Sequence, residues 1–255
     1  MKTAEASAVA TVCLSTVLLL GPIGCGSRPP AREQPAATQR GSSSAGSPTV
    51  EESNVAWPSL LGESQNASIA SVGYDLRRID GEPSLQWVVP LGTGYGAAVV
   101  EGGKVVVMGR DDDQEFVRCL SLSDGTVQWN HTYPTGFECR FDYSSGPYST
   151  PVLAGDDVFA WSAEGTIRCL RLLDGRERWS RDLRDAYDIE LGDFPLASSP
   201  VIDSHSVFIN AGGKKGQSGV IALDRVDGQI RWTATTDAAS HATPVIRRID
   251  RQQVL

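Results

Sequence analysis

FVRCLSLSDGTVQW (residues 116–129), TIRCLRLLDGRERW (166–179) and GVIALDRVDGQIRW (219–232) align without a gap. In each stretch an alternating apolar run leads to Asp-Gly, and a tryptophan stands five residues after the aspartate: Asp124-Gly125 and Trp129, Asp174-Gly175 and Trp179, Asp227-Gly228 and Trp232. The tryptophans lie 50 and then 53 residues apart. Asp-Gly between two alternating runs signals a β-hairpin, because glycine tolerates positive φ and aspartate hydrogen-bonds its own turn. A period of this length that encodes strands points to a repeat architecture.

A second marker recurs at the same period, before the second and third hairpins and again after the third: Ser149-Thr150-Pro151-Val152, Ser198-Ser199-Pro200-Val201 and Ala242-Thr243-Pro244-Val245. Proline, which lacks an N–H, is accepted at the start of a strand. A further apolar run follows, Val158-Phe159-Ala160-Trp161 in one unit and Val207-Phe208-Ile209-Asn210 in the next. Each period thus encodes four short strands. In the middle unit they are expected near 149–154, 157–163, 166–172 and 176–183. The expected class is all-β, a partial β-propeller of four-stranded antiparallel blades: three full blades plus flanking strands. No unit carries the sustained 3.6-residue period of a helical solenoid.

Trp129, Trp179 and Trp232 fall on fourth strands, where each ring is expected to fill the gap to a neighbouring blade. Cys119, Cys169 and Ala222 share one position on the third strand, so small size rather than sulfur chemistry is their common property.

Composition agrees with such a fold. The 255 residues include 26 Gly and 14 Pro against 7% aromatics, a turn-rich balance unlike that of a helical bundle. With 31 acidic and 23 basic side chains the net charge is −8, which disfavours nucleic acid as a partner. The five cysteines form no C-x-x-C pair, which removes zinc ribbons and thioredoxin-type redox sites.

The N-terminal region reads differently. No charge occurs between Ala6 and Ser27, and a Leu-rich run ends at Gly21-Pro22, followed by Ile23-Gly24-Cys25. About 15 apolar residues are too few to span a bilayer, which needs about 20, and suit the core of a signal peptide. Small Gly24 before Cys25 resembles a bacterial lipobox, whose cysteine receives lipid, although Pro22 replaces the usual leucine. Lipidation at Cys25 is the expectation, with simple secretion and an uncleaved anchor as alternatives. Residues 26–55 are dominated by Pro, Ser, Gly, Ala and Gln and read as a disordered spacer. The division expected is therefore 1–25 signal, 26–55 linker and 56–255 propeller repeats.

The apolar run, small residue, leucine, Asp-Gly and tryptophan together resemble the tryptophan-docking repeat of the PQQ-like β-propeller family. The organisation is similar to that of the β-barrel assembly lipoproteins of bacterial outer membranes. The turn in that family is commonly Thr-Gly, and an aspartate often stands two residues after the small one. Only Asp224 matches it here, with Ser121 and Arg171 in the other units. Family propellers typically have eight blades, about 400 residues at this period. The resemblance therefore implies an incomplete propeller, a fragment or truncated reading frame with unpaired edges.

The resemblance implies an exported, non-catalytic scaffold in the periplasm or at the cell surface, tethered by lipid and binding protein partners, with neither cofactor nor small-molecule substrate. The alternative is a fragment of a PQQ-dependent quinoprotein dehydrogenase. Such enzymes use a catalytic aspartate, a calcium ion and an adjacent cysteine pair, and no two cysteines are adjacent here.

Other candidates carry weaker signals. Asp111-Asp112-Asp113 with Glu115 lacks the spacing of a calcium loop and reads as a solvated hairpin tip. Gly212-Gly213-Lys214-Lys215-Gly216 lacks the Ser or Thr of a P-loop and reads as a flexible blade connection. Gly92-Thr93-Gly94-Tyr95-Gly96 is followed by strand rather than helix, which is wrong for a dinucleotide fingerprint. His131, His205 and His241 stand in different units without zinc spacing.

Overall fold

The computed structural model describes residues 56–68 and 85–255, together with the backbone of a two-residue strand, β1 (Val9–Ala10). Cys25, the linker and, apart from β1, the expected signal segment lie outside the described residues. β1 pairs antiparallel with β2 (Val89–Pro90). Of residues 85–89, only Val89 lies in a regular strand.

Three four-stranded antiparallel meanders follow. The first comprises β3 (Val99–Glu101), β4 (Lys104–Asp111), β5 (Gln114–Ser121) and β6 (Val127–Pro134). The second comprises β7 (Val152–Ala154), β8 (Asp157–Trp161), β9 (Thr166–Arg171) and β10 (Glu177–Asp182). After a single helical turn, α1 (Arg184–Tyr187), the third comprises β11 (Val201–Ile202), β12 (Ser206–Gly213), β13 (Ser218–Asp224) and β14 (Ile230–Ala234). A hairpin of β15 (Arg247–Ile249) and β16 (Gln252–Val254) closes the described chain. These are blades of a partial β-propeller.

The core lies between blades. Val106, Met108, Val117, Cys119 and Trp129 of the first blade pack on Leu153, Val158, Ala160 and Leu170 of the second. Phe159, Trp161, Ile167, Cys169 and Trp179 of the second pack on Val207, Ile209, Ile221 and Leu223 of the third. The intervening residues of β4, Val105 and Val107, turn the opposite way, onto Leu91 and Trp87. A middle strand buried on both faces must be apolar at consecutive positions, which is why Val105-Val106-Val107-Met108 runs without a polar break.

Each Asp-Gly sits in a five-residue connection rather than a two-residue turn. The N–H of Gly125, Gly175 and Gly228 reaches back to the carbonyl of Ser121, Arg171 and Asp224 at 2.9, 2.8 and 2.9 Å. Only the glycine has positive φ, +72°, +71° and +68°. The aspartate accepts the N–H two residues on, from Thr126, Arg176 and Gln229. Hydrogen bonds from Thr126 hold the Asp124 carboxyl below its ordinary range, and Arg171 draws that of Asp174 down to about 2.

Candidate functional site

The repeat residues build the frame of the site. Trp129 lies over Gly175 of the next blade's turn and donates from Nε1 to the Leu172 carbonyl at 2.9 Å. Trp179 repeats this over Gly228, with Nε1 bonded to Arg225 O at 3.1 Å. Trp87 does the same over Gly125, bonded to Leu122 O at 2.9 Å. Trp129 and Trp179 are 8% and 7% exposed. Trp232, expected to dock in the same way, is 43% exposed and packs on Phe208 of its own blade. No further Asp-Gly turn covers it among the described residues. Trp87 stands outside the aligned stretches and its role was not legible from the repeat.

The second marker builds an inner belt. Thr150 Oγ1 accepts the N–H of Ala97, Ser199 Oγ accepts that of Thr150, and Thr243 Oγ1 accepts that of Ser199, at 2.9, 2.9 and 3.0 Å. Each hydroxyl ties the start of one inner strand to its equivalent in the preceding blade. Tryptophans couple the blades on the outside and hydroxyls couple them near the axis.

This frame fixes the loops that run from the outer strand of one blade to the inner strand of the next, and those loops carry a continuous aromatic patch. Tyr95 packs against Tyr148 with centroids 4.8 Å apart, and Tyr148 lies 6.3 Å from the His241 ring. Phe194 joins His241 at 5.9 Å, Phe141 at 5.4 Å and Tyr143 at 5.9 Å. Tyr95, Phe141 and Tyr143 are 56%, 48% and 60% exposed. A cavity of about 220 Å³ opens between Phe194 and His241.

Arg110 positions the largest loop of this patch. Its guanidinium is buried and bonds the Phe137 carbonyl, Ser145 O at 3.1 Å and Glu138 Oε1 at 2.8 Å, while Nε bonds Asp112 O at 2.6 Å. Cys139 and Arg140 then reach Asp193 on the adjoining loop. An arginine at a strand end carries no sequence signal for this role, since its acceptors are mostly carbonyls far along the chain.

Among the weaker candidates, Glu115 departs from expectation. Asp112 and Asp113 form the exposed β4–β5 turn, but Glu115 faces inward and is fully buried. Strand alternation, one residue past the Gln114 pair, turns it into the seam between the first and second blades. There its Oε1 accepts the Ala163 N–H at 3.3 Å, and burial pushes its carboxyl up to about 7. Gly212 and Gly213 also depart, since they belong to β12 and only the following residues form its turn. Lys214 pairs with Glu190 at 2.7 Å. Gly92 and Thr93 run beside Arg110 as backbone bridges, and Tyr95 N bonds Pro147 O at 2.9 Å. His131 lies 3.6 Å from Glu177, His205 is in a turn beside Ser204, and only His241 joins the aromatic patch.

No group of three or more metal-ligating side chains exists among the described residues. The acidic cluster does not converge on one point: Asp111 turns to Arg118 while Glu115 faces the blade seam.

A family profile described as outer membrane protein assembly factor BamB, of the PQQ-like repeat type, matches residues 84–248. The chain belongs to this family. It is 28% identical over 141 residues to the outer membrane protein assembly factor BamB of Alkalilimnicola ehrlichii, covering 54% of this chain and 32% of that protein. The chain thus spans about a third of its curated BamB relative's length. BamB from Moraxella catarrhalis matches with a TM-score of 0.37 and 21% identity, over 60% of this chain and 40% of that one. A europium-containing methanol dehydrogenase matches at 0.41 and 18%, over 55% and 24%. Trp57, Trp87, Trp129 and Trp179 all pack on glycine in this BamB-family chain, although only Trp129 and Trp179 lie in the aligned repeats.

Proposed function

We propose that the chain is an exported, non-catalytic scaffold of the cell envelope that takes part in outer membrane protein assembly. In this reading the inter-blade loops hold a protein partner. The observation that carries it is the aromatic patch of Tyr95, Phe141, Tyr143, Phe194 and His241, whose largest loop is tied down by Arg110. Rigid, half-exposed aromatic rings supply binding energy with little ordering cost and are enriched at protein interfaces. Family membership over residues 84–248 supports the assembly role. Cys25 would carry the lipid, and residues 26–55 would hold the propeller off the membrane.

The test is complementation in the source cell. Loss of the gene should lower the steady-state level of outer-membrane β-barrel proteins, and the wild-type chain should restore it. A Phe141→Asp/Tyr143→Asp chain, with unchanged thermal midpoint, should not. Full restoration by that variant would refute the surface, and unaltered barrel levels on gene loss would refute the role.

A further inference from the structure

We infer that residues 57–65 are an intramolecular ligand of the propeller axis, occupying in cis a binding site for extended peptide on the inner edges of the blades. The inference rests on backbone pairing and is independent of the aromatic patch.

Val100, Leu153, Ile202 and Ile246 are equivalent positions, each the third residue after the belt position Ala97, Thr150, Ser199 or Thr243. An inner strand has a neighbour on one side only, so alternate N–H groups point at the axis without a sheet partner. Residues 57–65 meet three of these four positions. Trp57 exchanges both backbone bonds with Val100, at 2.7 and 3.0 Å. The Leu153 N–H donates to Pro58 O at 2.8 Å, and that of Ile246 to Gln65 Oε1 at 3.2 Å. Arg247 then bonds Gln65 O at 2.7 Å. The fourth position is differently placed. Asp203 N bonds Ser206 O at 3.0 Å within the blade, so alternation directs the Ile202 N–H the other way. Ile202 lines a cavity of about 370 Å³ between residues 58–65 and the second and third blades.

The segment is shaped for this task. Pro58 offers a carbonyl but no N–H. Gly62, at φ +74°, folds back under the Trp57 ring, where a Cβ would come within 2.9 Å of the indole. One chain segment therefore meets the inner edges at Val100 and Leu153 through main-chain bonds, and a third edge through the Gln65 and Arg247 side chains. The main-chain bonds at Trp57 and Pro58 read extended backbone rather than particular side chains, so another extended peptide fits the Val100 and Leu153 edges once the cis segment leaves.

The test uses the full chain with Trp57→Cys/Val100→Cys, in a background where Cys13, Cys25 and Cys139 are Ser. Opposed residues of a hydrogen-bonded antiparallel pair stand about 5.5 Å apart at Cα, within disulfide reach. Oxidation locks the segment in place, and reduction frees it without the tryptophan. Binding of a fluorescein-labelled peptide of residues 56–68 is followed by anisotropy up to millimolar concentration. The reduced protein should bind at least tenfold more tightly than the oxidised one. Amide exchange at position 100 and at Leu153 and Ile246 should rise at least tenfold on reduction and fall again with peptide. Equal binding to both states, no binding to the reduced state, or unchanged exchange would overturn the inference.

Discussion

Trp129 and Gly175 meet across a blade boundary so closely that a Cβ on the glycine would stand 2.5 Å from the indole. The same contact joins Trp179 to Gly228 and Trp87 to Gly125. At these three turns glycine is required twice over, by positive φ and by the ring lying on it.

Gly175→Ala should therefore destabilise the chain by about 2 kcal/mol or more, because the ring can move only by abandoning its bond to Leu172. Trp129→Ala and Trp179→Ala should each cost about 3–5 kcal/mol. Trp232→Ala, at a half-exposed ring, should cost under about 1.5 kcal/mol. Urea unfolding of the four variants checks the order, and equal losses at all three tryptophans would contradict it.

The hydroxyl belt makes a separate prediction. Ser199→Ala leaves the buried Thr150 N–H without its acceptor, at a cost of about 1–3 kcal/mol, whereas Ser199→Thr keeps an oxygen in place and should cost less. Thermal midpoints of the two variants decide this.

Glu115 ties stability to pH. Its carboxyl lies near 7 in the folded chain, chiefly through burial, against an ordinary value of 4.5. A raised acid favours the folded state fully below the unfolded value and loses that contribution as pH climbs through the folded one. Stability should fall between pH 4.5 and about 7 by up to about 3 kcal/mol and then level off. Glu115→Gln should flatten that part of the profile, measured by urea midpoints across the pH range.

Thiol reactivity should separate the cysteines. Burial pushes the Cys119 thiol up to about 11 and the Cys169 thiol up to about 12. Neither should react with an aromatic disulfide reagent at neutral pH until the chain unfolds. Prompt native labelling of either, located by mass spectrometry, would show that the seams open.

Loop order at the aromatic patch should depend on Arg110. Arg110→Met keeps much of the stem but loses the bonds to Glu138 and Ser145, so amide exchange over residues 137–145 should rise well above that of β4 and β5. Unchanged protection there would assign the loop's order to other contacts.

Three blades were legible because their cause is local. Strand 9, expected over 166–172, spans Thr166–Arg171, and strand 10, expected over 176–183, spans Glu177–Asp182. Alternation, Asp-Gly and the Pro-Val start are each read within a dozen residues. Glu115 was misplaced at a solvated tip because its composition matched its acidic neighbours, while its burial depends on which blade stands opposite. The aromatic patch was invisible for a related reason: Tyr95, Phe141, Phe194 and His241 come from three different loops and one strand approach, with no common spacing.

By itself the sequence determined the repeat, the four-strand unit and the docking of Trp129 and Trp179, since hairpin geometry and side-chain alternation follow from neighbours along the chain. The tertiary structure alone decided which indoles are covered, which carboxyl is stripped of water, which loops share a surface and which inner edges residues 57–65 close. Those outcomes depend on distances between segments some 40 to 180 residues apart, as with Trp129 and Leu172 or Gln65 and Ile246, and only packing sets such distances.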